Sequence, residues 1–131
     1  MKLTAAMLYA LAAMVFIQLV TGGLRTFGYI GESAHILTGF ITFGLAVATL
    51  VVSAVSKPRY RAAVSVSAVV TVLVFVQGLL GFAFLDSNSS DMAIILVHYL
   101  NALAIYGASM SGVFSAMRMS HVAPAPVAQS G

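Results

Sequence analysis

Two histidines, His35 and His98, stand near the beginnings of two long apolar segments in a chain of 131 residues, of which only 7% are charged. Neutral imidazole is the commonest protein ligand for a metal, and an ionisable side chain inside a bilayer is costly enough to mark a functional position. Two such rings at matched depths on alternate helices of a bundle are where a haem iron would take its axial ligands. The chain has no cysteine. That excludes disulfides, thiolate zinc sites, iron–sulfur clusters and covalent c-type attachment, so any haem must be held non-covalently.

The residues around each histidine repeat. Downstream of His35 come Gly39, Phe43 and Gly44; downstream of His98 come Ala102, Tyr106 and Gly107, at the same offsets of four, eight and nine. Offsets of four and eight stay near the histidine's face of a helix. Gly39 and Ala102, one turn on, would let a flat macrocycle approach the backbone, and Phe43 and Tyr106 could wall its edge. The alternative for the small residues is helix–helix packing, and for the aromatics a core or lipid-facing position. Gln18 and Gln77 lie at equivalent depths in the preceding helices, and each needs a hydrogen-bond partner. An interhelical bond serves that need; so does orienting a histidine ring or contacting a cofactor. Arg25 is placed to pair with haem propionates or with lipid headgroups. Glu32 precedes His35 by three residues and shares its face, where it is either a reactive carboxylate or a favourable charge at a helix start.

These residues need a scaffold. A composition 61% hydrophobic with a mean hydropathy of +1.06 is far from the roughly one-quarter charged residues of soluble domains. The chain reads as an all-α integral membrane protein. Segments of about 20 apolar residues span a bilayer, and four qualify: Thr4 to about Gly22, about Glu32 to Val55, about Ala62 to Leu85, and Asp91 to about Ala116. The first is longer than a signal-peptide core and lacks a cleavage site after it, so it is expected to be retained. Lys2, the middle connection with Lys57, Arg59 and Arg61, and Arg118 place both termini in the cytoplasm by the positive-inside rule. Short loops then favour an up-down-up-down four-helix bundle with an internal two-helix repeat, over residues 1–118. Residues 119–131, with His121, read as a disordered cytoplasmic tail. The net charge of +3 comes from six dispersed Lys and Arg residues, a distribution that follows topology and argues against nucleic-acid binding.

The run Gln18 to Arg25, ending Gly-Gly-Leu-Arg, followed by Glu32-Ser33-Ala34-His35, resembles the haem A synthase family. The segments Gln77 to Gly81 and Val97-His98 resemble the next histidine-bearing helix pair of that family. The resemblance implies a haem-binding bundle in the cell membrane, with His35 and His98 as axial ligands and Glu32 as the carboxylate of an oxidoreductase. That enzyme converts the C8 methyl of haem O to the formyl group of haem A, using a b-type haem as electron carrier. Three features depart from the family: a single bundle where the usual protein has two, Ile36 in place of an arginine, and no paired cysteines. Two other functions stay open. One is a small bis-histidine cytochrome b that carries electrons, as a homo-oligomer or within a larger respiratory complex. The other is a haem-free structural subunit.

Overall fold

The computed structural model describes residues 2–56, 61–86 and 92–121. Lys57, Pro58, Arg59, Asp91 and the tail from Val122 onward lie outside the described residues. The described residues form an all-helical structure without strands: α1 (Lys2–Thr26), α2 (Glu32–Val55), α3 (Arg61–Asp86) and α4 (Met92–His121). All four are long and apolar enough to cross a membrane. At 1.5 Å per residue they reach about 36–45 Å, against a hydrocarbon core of about 30 Å.

Two helix ends differ from the expected ones. Gly22 and Gly23 do not stop α1, which continues to Thr26. The chain turns instead at Gly28, whose φ is 75°. Gly28 N–H donates to the Arg25 carbonyl at 2.9 Å and Tyr29 N–H to the Leu24 carbonyl at 2.9 Å. This is a Schellman motif, and its left-handed residue is the position glycine occupies without steric cost. At the other end of the chain, α4 runs to His121, taking in residues 119–121 of the expected tail. Between the expected end at Ala116 and Pro124 the sequence has no glycine or proline to end it sooner.

α1 packs against α2 and α4, and α3 against the same two, while α1 and α3 touch only narrowly across the middle. Thr4 Oγ1 lies 3.0 Å from Ser56 Oγ, and Arg25 Nη2 lies 3.2 Å from Glu32 Oε2. The start of α1 is therefore beside the end of α2, and its end beside the start of α2.

Burial is one-sided along the bundle. Among the described residues, the buried positions stop at Val15 in α1, begin at Thr42 in α2, stop at Val74 in α3 and begin at Ile105 in α4. All of them lie toward one end, where small residues let the helices close. Ala46, Thr49, Ser53, Ser67, Val70 and Ala116 are each 0% exposed there. A Cβ added to Gly112 would stand 3.2 Å from both Leu8 Cδ2 and Val66 Cγ1. Buried hydroxyls bond back within their own helices, as when Thr49 donates to the Leu45 carbonyl and Ser67 to the Ala63 carbonyl, both at 2.7 Å, or meet a hydroxyl across the bundle, as Thr4 does Ser56 and Ser53 does Ser67. Such bonding back to the preceding turn lets a hydroxyl sit in an apolar core.

Candidate functional site

The opposite end of the bundle encloses a cavity of about 620 Å³ lined by all four helices. That volume falls in the range of about 300–1,000 Å³ that encloses a small ligand or cofactor. His35, His98, Gln18, Gln77, Arg25, Glu32, Gly39, Ala102 and Phe43 all line it. Tyr106 is not among the lining residues. Its ring packs 6.4 Å from that of Phe16, beside the core at the closed end. Phe43 has the same offset from its histidine, so the difference lies in the neighbouring helix: Phe16 of α1 stands beside Tyr106, and Phe75 of α3 beside Phe43.

Each histidine lies against a glycine one helix away. A Cβ on Gly22 would stand 3.1 Å from His35 Cε1, and one on Gly81 would stand 3.7 Å from His98 Cε1. Gly22 and Gly81 hold the same place, four residues after Gln18 and Gln77. The sequence repeat thus becomes a repeated contact, with a bare stretch of backbone beneath each imidazole. Gly44 and Gly107 have no such part, since a Cβ there would meet nothing within 4 Å.

The two glutamines serve different partners. Gln18 Nε2 donates to the His35 carbonyl at 3.1 Å and lies 3.3 Å from His35 Nδ1. Its Oε1 accepts from Thr38 Oγ1. Gly39 leaves room for this amide, because a Cβ there would come within 3.2 Å of Gln18 Nε2. Thr21 Oγ1 donates to the Gln18 carbonyl at 3.1 Å and lies 3.3 Å from His35 Nδ1. Gln18 and Thr21 of α1 together hold the His35 ring at its Nδ1 edge. In the second half, Gln77 Oε1 accepts from Asn101 Nδ2 at 2.7 Å, and Asn101 also donates to the Leu73 carbonyl at 2.9 Å. His98 Nδ1 is buried without a hydrogen-bond partner.

Arg25 and Glu32 form an ion pair at the cavity mouth, 28% and 46% exposed. Glu32 follows the helix-capping Gly31, whose backbone enters α2 without a side-chain cap. Its carboxylate is bonded to Arg25. Thr26 Oγ1 and Tyr99 OH, 2.7 Å apart, tie α1 to α4 beside them.

Several contributors were not singled out from sequence. Thr38 and Asn101 both stand three residues after a histidine, a shared register that could have revealed them. Phe40, Phe75 and Phe82 line the cavity with Phe43. They form the ring pairs Phe40–Phe82 at 6.3 Å and Phe43–Phe75 at 6.1 Å between α2 and α3. Only the spacing of Phe43 from a histidine had marked this wall.

Among the described residues no three His, Asp or Glu side chains gather as a metal-ion cage. A structural or catalytic metal ion such as zinc ordinarily takes three or four protein ligands. A haem brings its four equatorial nitrogens and asks the protein for one or two axial side chains. Two histidines, two glycines and an aromatic wall fit the second case. No protein-family model matches the chain, and no curated protein or solved structure is significantly similar to it. The resemblance to haem A synthases therefore rests on the short motifs around Gln18 to His35 and Gln77 to His98.

Proposed function

We propose that this chain is a multi-pass cell-membrane haem protein, an up-down-up-down bundle in which His35 and His98 hold one haem non-covalently for redox work. The observation that carries this reading is the coincidence of both histidines with the open end of an otherwise closed bundle. The close approaches between Thr4 and Ser56 and between Arg25 and Glu32 support the helix order. Both termini are assigned to the cytoplasm from the basic residues near them, which puts the cavity in the outer half of the bilayer. When bound, the haem would supply a one-electron couple. The chain's own residues supply the rest. Gln18 and Thr21 hold the His35 ring, Gly22 and Gly81 admit the imidazoles, and the phenylalanines on α2 and α3 wall the cavity. Arg25, with Glu32, provides charge at the mouth where propionates would emerge.

A second reading is haem A synthase-like oxidation of a bound haem O methyl group. It is favoured by one observation: Glu32 lines the same cavity as the two histidines. Electron carriage alone needs no carboxylate there. Pyridine haemochrome analysis of the protein purified from membranes tests the shared claim. A non-covalent haem in wild type and its loss in the His35→Ala/His98→Ala double variant are expected. Wild type without a Soret band would refute it and favour a haem-free subunit. Coexpression with a haem O synthase then separates the two readings, since haem A or a hydroxylated intermediate accumulates only on the second.

A further inference from the structure

Two of the departures from the internal repeat bear on the hydrogen bonding around the histidines. Thr21, three residues after Gln18, lies with its hydroxyl 3.3 Å from His35 Nδ1. The equivalent residue after Gln77 is Leu80, which has no hydroxyl. Thr38, three residues after His35, contributes its hydroxyl to Gln18 and leaves that amide's nitrogen beside the imidazole. Its counterpart Asn101 is larger, and it holds Gln77 Oε1 and the Leu73 carbonyl instead. His35 is consequently tied to α1, while the buried Nδ1 of His98 has no partner among the described residues. The ring of Tyr99 lies edge-on to that of His98 at a centroid distance of 6.3 Å. That contact is apolar and supplies no acceptor in the ring plane.

A histidine ligand whose second nitrogen is hydrogen-bonded is fixed in orientation and made more basic, and removing that outer partner costs metal affinity. A ring without such a partner is free to rotate away at lower cost. We infer, resting on the proposed haem site, that His35 is the fixed axial side chain and His98 the exchangeable one. A small neutral donor ligand, such as carbon monoxide or imidazole, thus enters the cavity on the His98 side. In the exchange, the His98 nitrogen withdraws with its lone pair and the lone pair of the incoming ligand takes its place. No electron is transferred.

The test uses full-length protein in detergent, reduced with dithionite, with carbon monoxide as the probe. Wild type is expected to give a carbon monoxide difference spectrum. The His98→Ala variant should keep its haem and regain a six-coordinate spectrum when imidazole is added, whereas His35→Ala should lose most of its haem. Two variants that retain both histidines guard against misfolding. Thr21→Val should weaken haem binding roughly 10- to 100-fold, and Leu80→Thr should slow carbon monoxide entry by giving His98 an acceptor. Equal haem loss in both histidine variants, retention only in His35→Ala, or no effect of Leu80→Thr would overturn the inference and leave the haem site standing. Absence of haem from wild type would overturn both.

Discussion

The two ends of this bundle are built from similarly apolar helices yet solve opposite problems. At one end Ala, Ser, Thr and Gly let the backbones approach until Ala46, Thr49, Ser53, Ser67 and Ala116 are wholly covered. At the other end the four helices carry Phe, His, Gln and Gly around a cavity of about 620 Å³, whose buried lining residues are Val15, Thr42, Val74 and Ile105, toward the closed end. Protein interiors ordinarily pack to the density of organic crystals. The closed end is covered by the chain's own side chains, and the open end leaves a cavity with room for an occupant. Stability should accordingly reside at the closed end and binding at the open one.

Glycine substitutions separate these roles most sharply. Gly112→Leu should be the most destabilising change, because even a Cβ there meets Leu8 and Val66 at 3.2 Å. Overpacking of this kind costs about 1–3 kcal/mol, readable as a lower thermal midpoint in detergent. Gly78→Leu, at the open end, meets nothing within 4 Å at its Cβ. It should shift the apo protein by no more than about 0.5 kcal/mol, yet lower haem content by occupying the cavity that Gly78 lines. Equal destabilisation by both would erase the distinction between the ends.

Smaller effects probe the connection above the cavity. Gly28→Ala puts a side chain at φ 75°, a conformation costing an L-residue roughly 1–2 kcal/mol. The loss should appear in the melting midpoint while the haem spectrum keeps its shape. Smallest of all, Glu32→Gln removes a half-exposed ion pair, worth about 0–1 kcal/mol. If Glu32 serves only to hold Arg25, the substitution should leave redox cycling intact. On the haem A synthase-like reading, product formation should stop while haem remains bound.

Much of this was legible in the sequence because hydropathy and helical spacing are local. The four spans follow from apolar length, and the offsets from His35 and His98 brought nine of the ten expected site residues to one cavity. What was not legible depends on neighbouring helices. Gly22-Gly23 reads as a helix end, but α1 continues to Thr26, and the His35 ring lies over Gly22. Tyr106 has the same offset as Phe43, yet the neighbour available to its ring is Phe16 on α1. The contrast between Thr21 and Leu80 is visible as letters, but its meaning appears only once Nδ1 of each histidine is located. The concentration of burial at one end likewise depends on how closely Gly112 lets Leu8 and Val66 approach.

The central claim is that the open end is a haem site made by two histidines. Titration of ferric haem into apo protein in detergent, followed by Soret absorbance and thermal melting, tests it most directly. Saturation at one haem per chain is expected, with a raised melting midpoint in wild type and neither effect in the His35→Ala/His98→Ala variant. An unsaturable, non-specific absorbance rise that is the same in both proteins, with no change in melting, would contradict it.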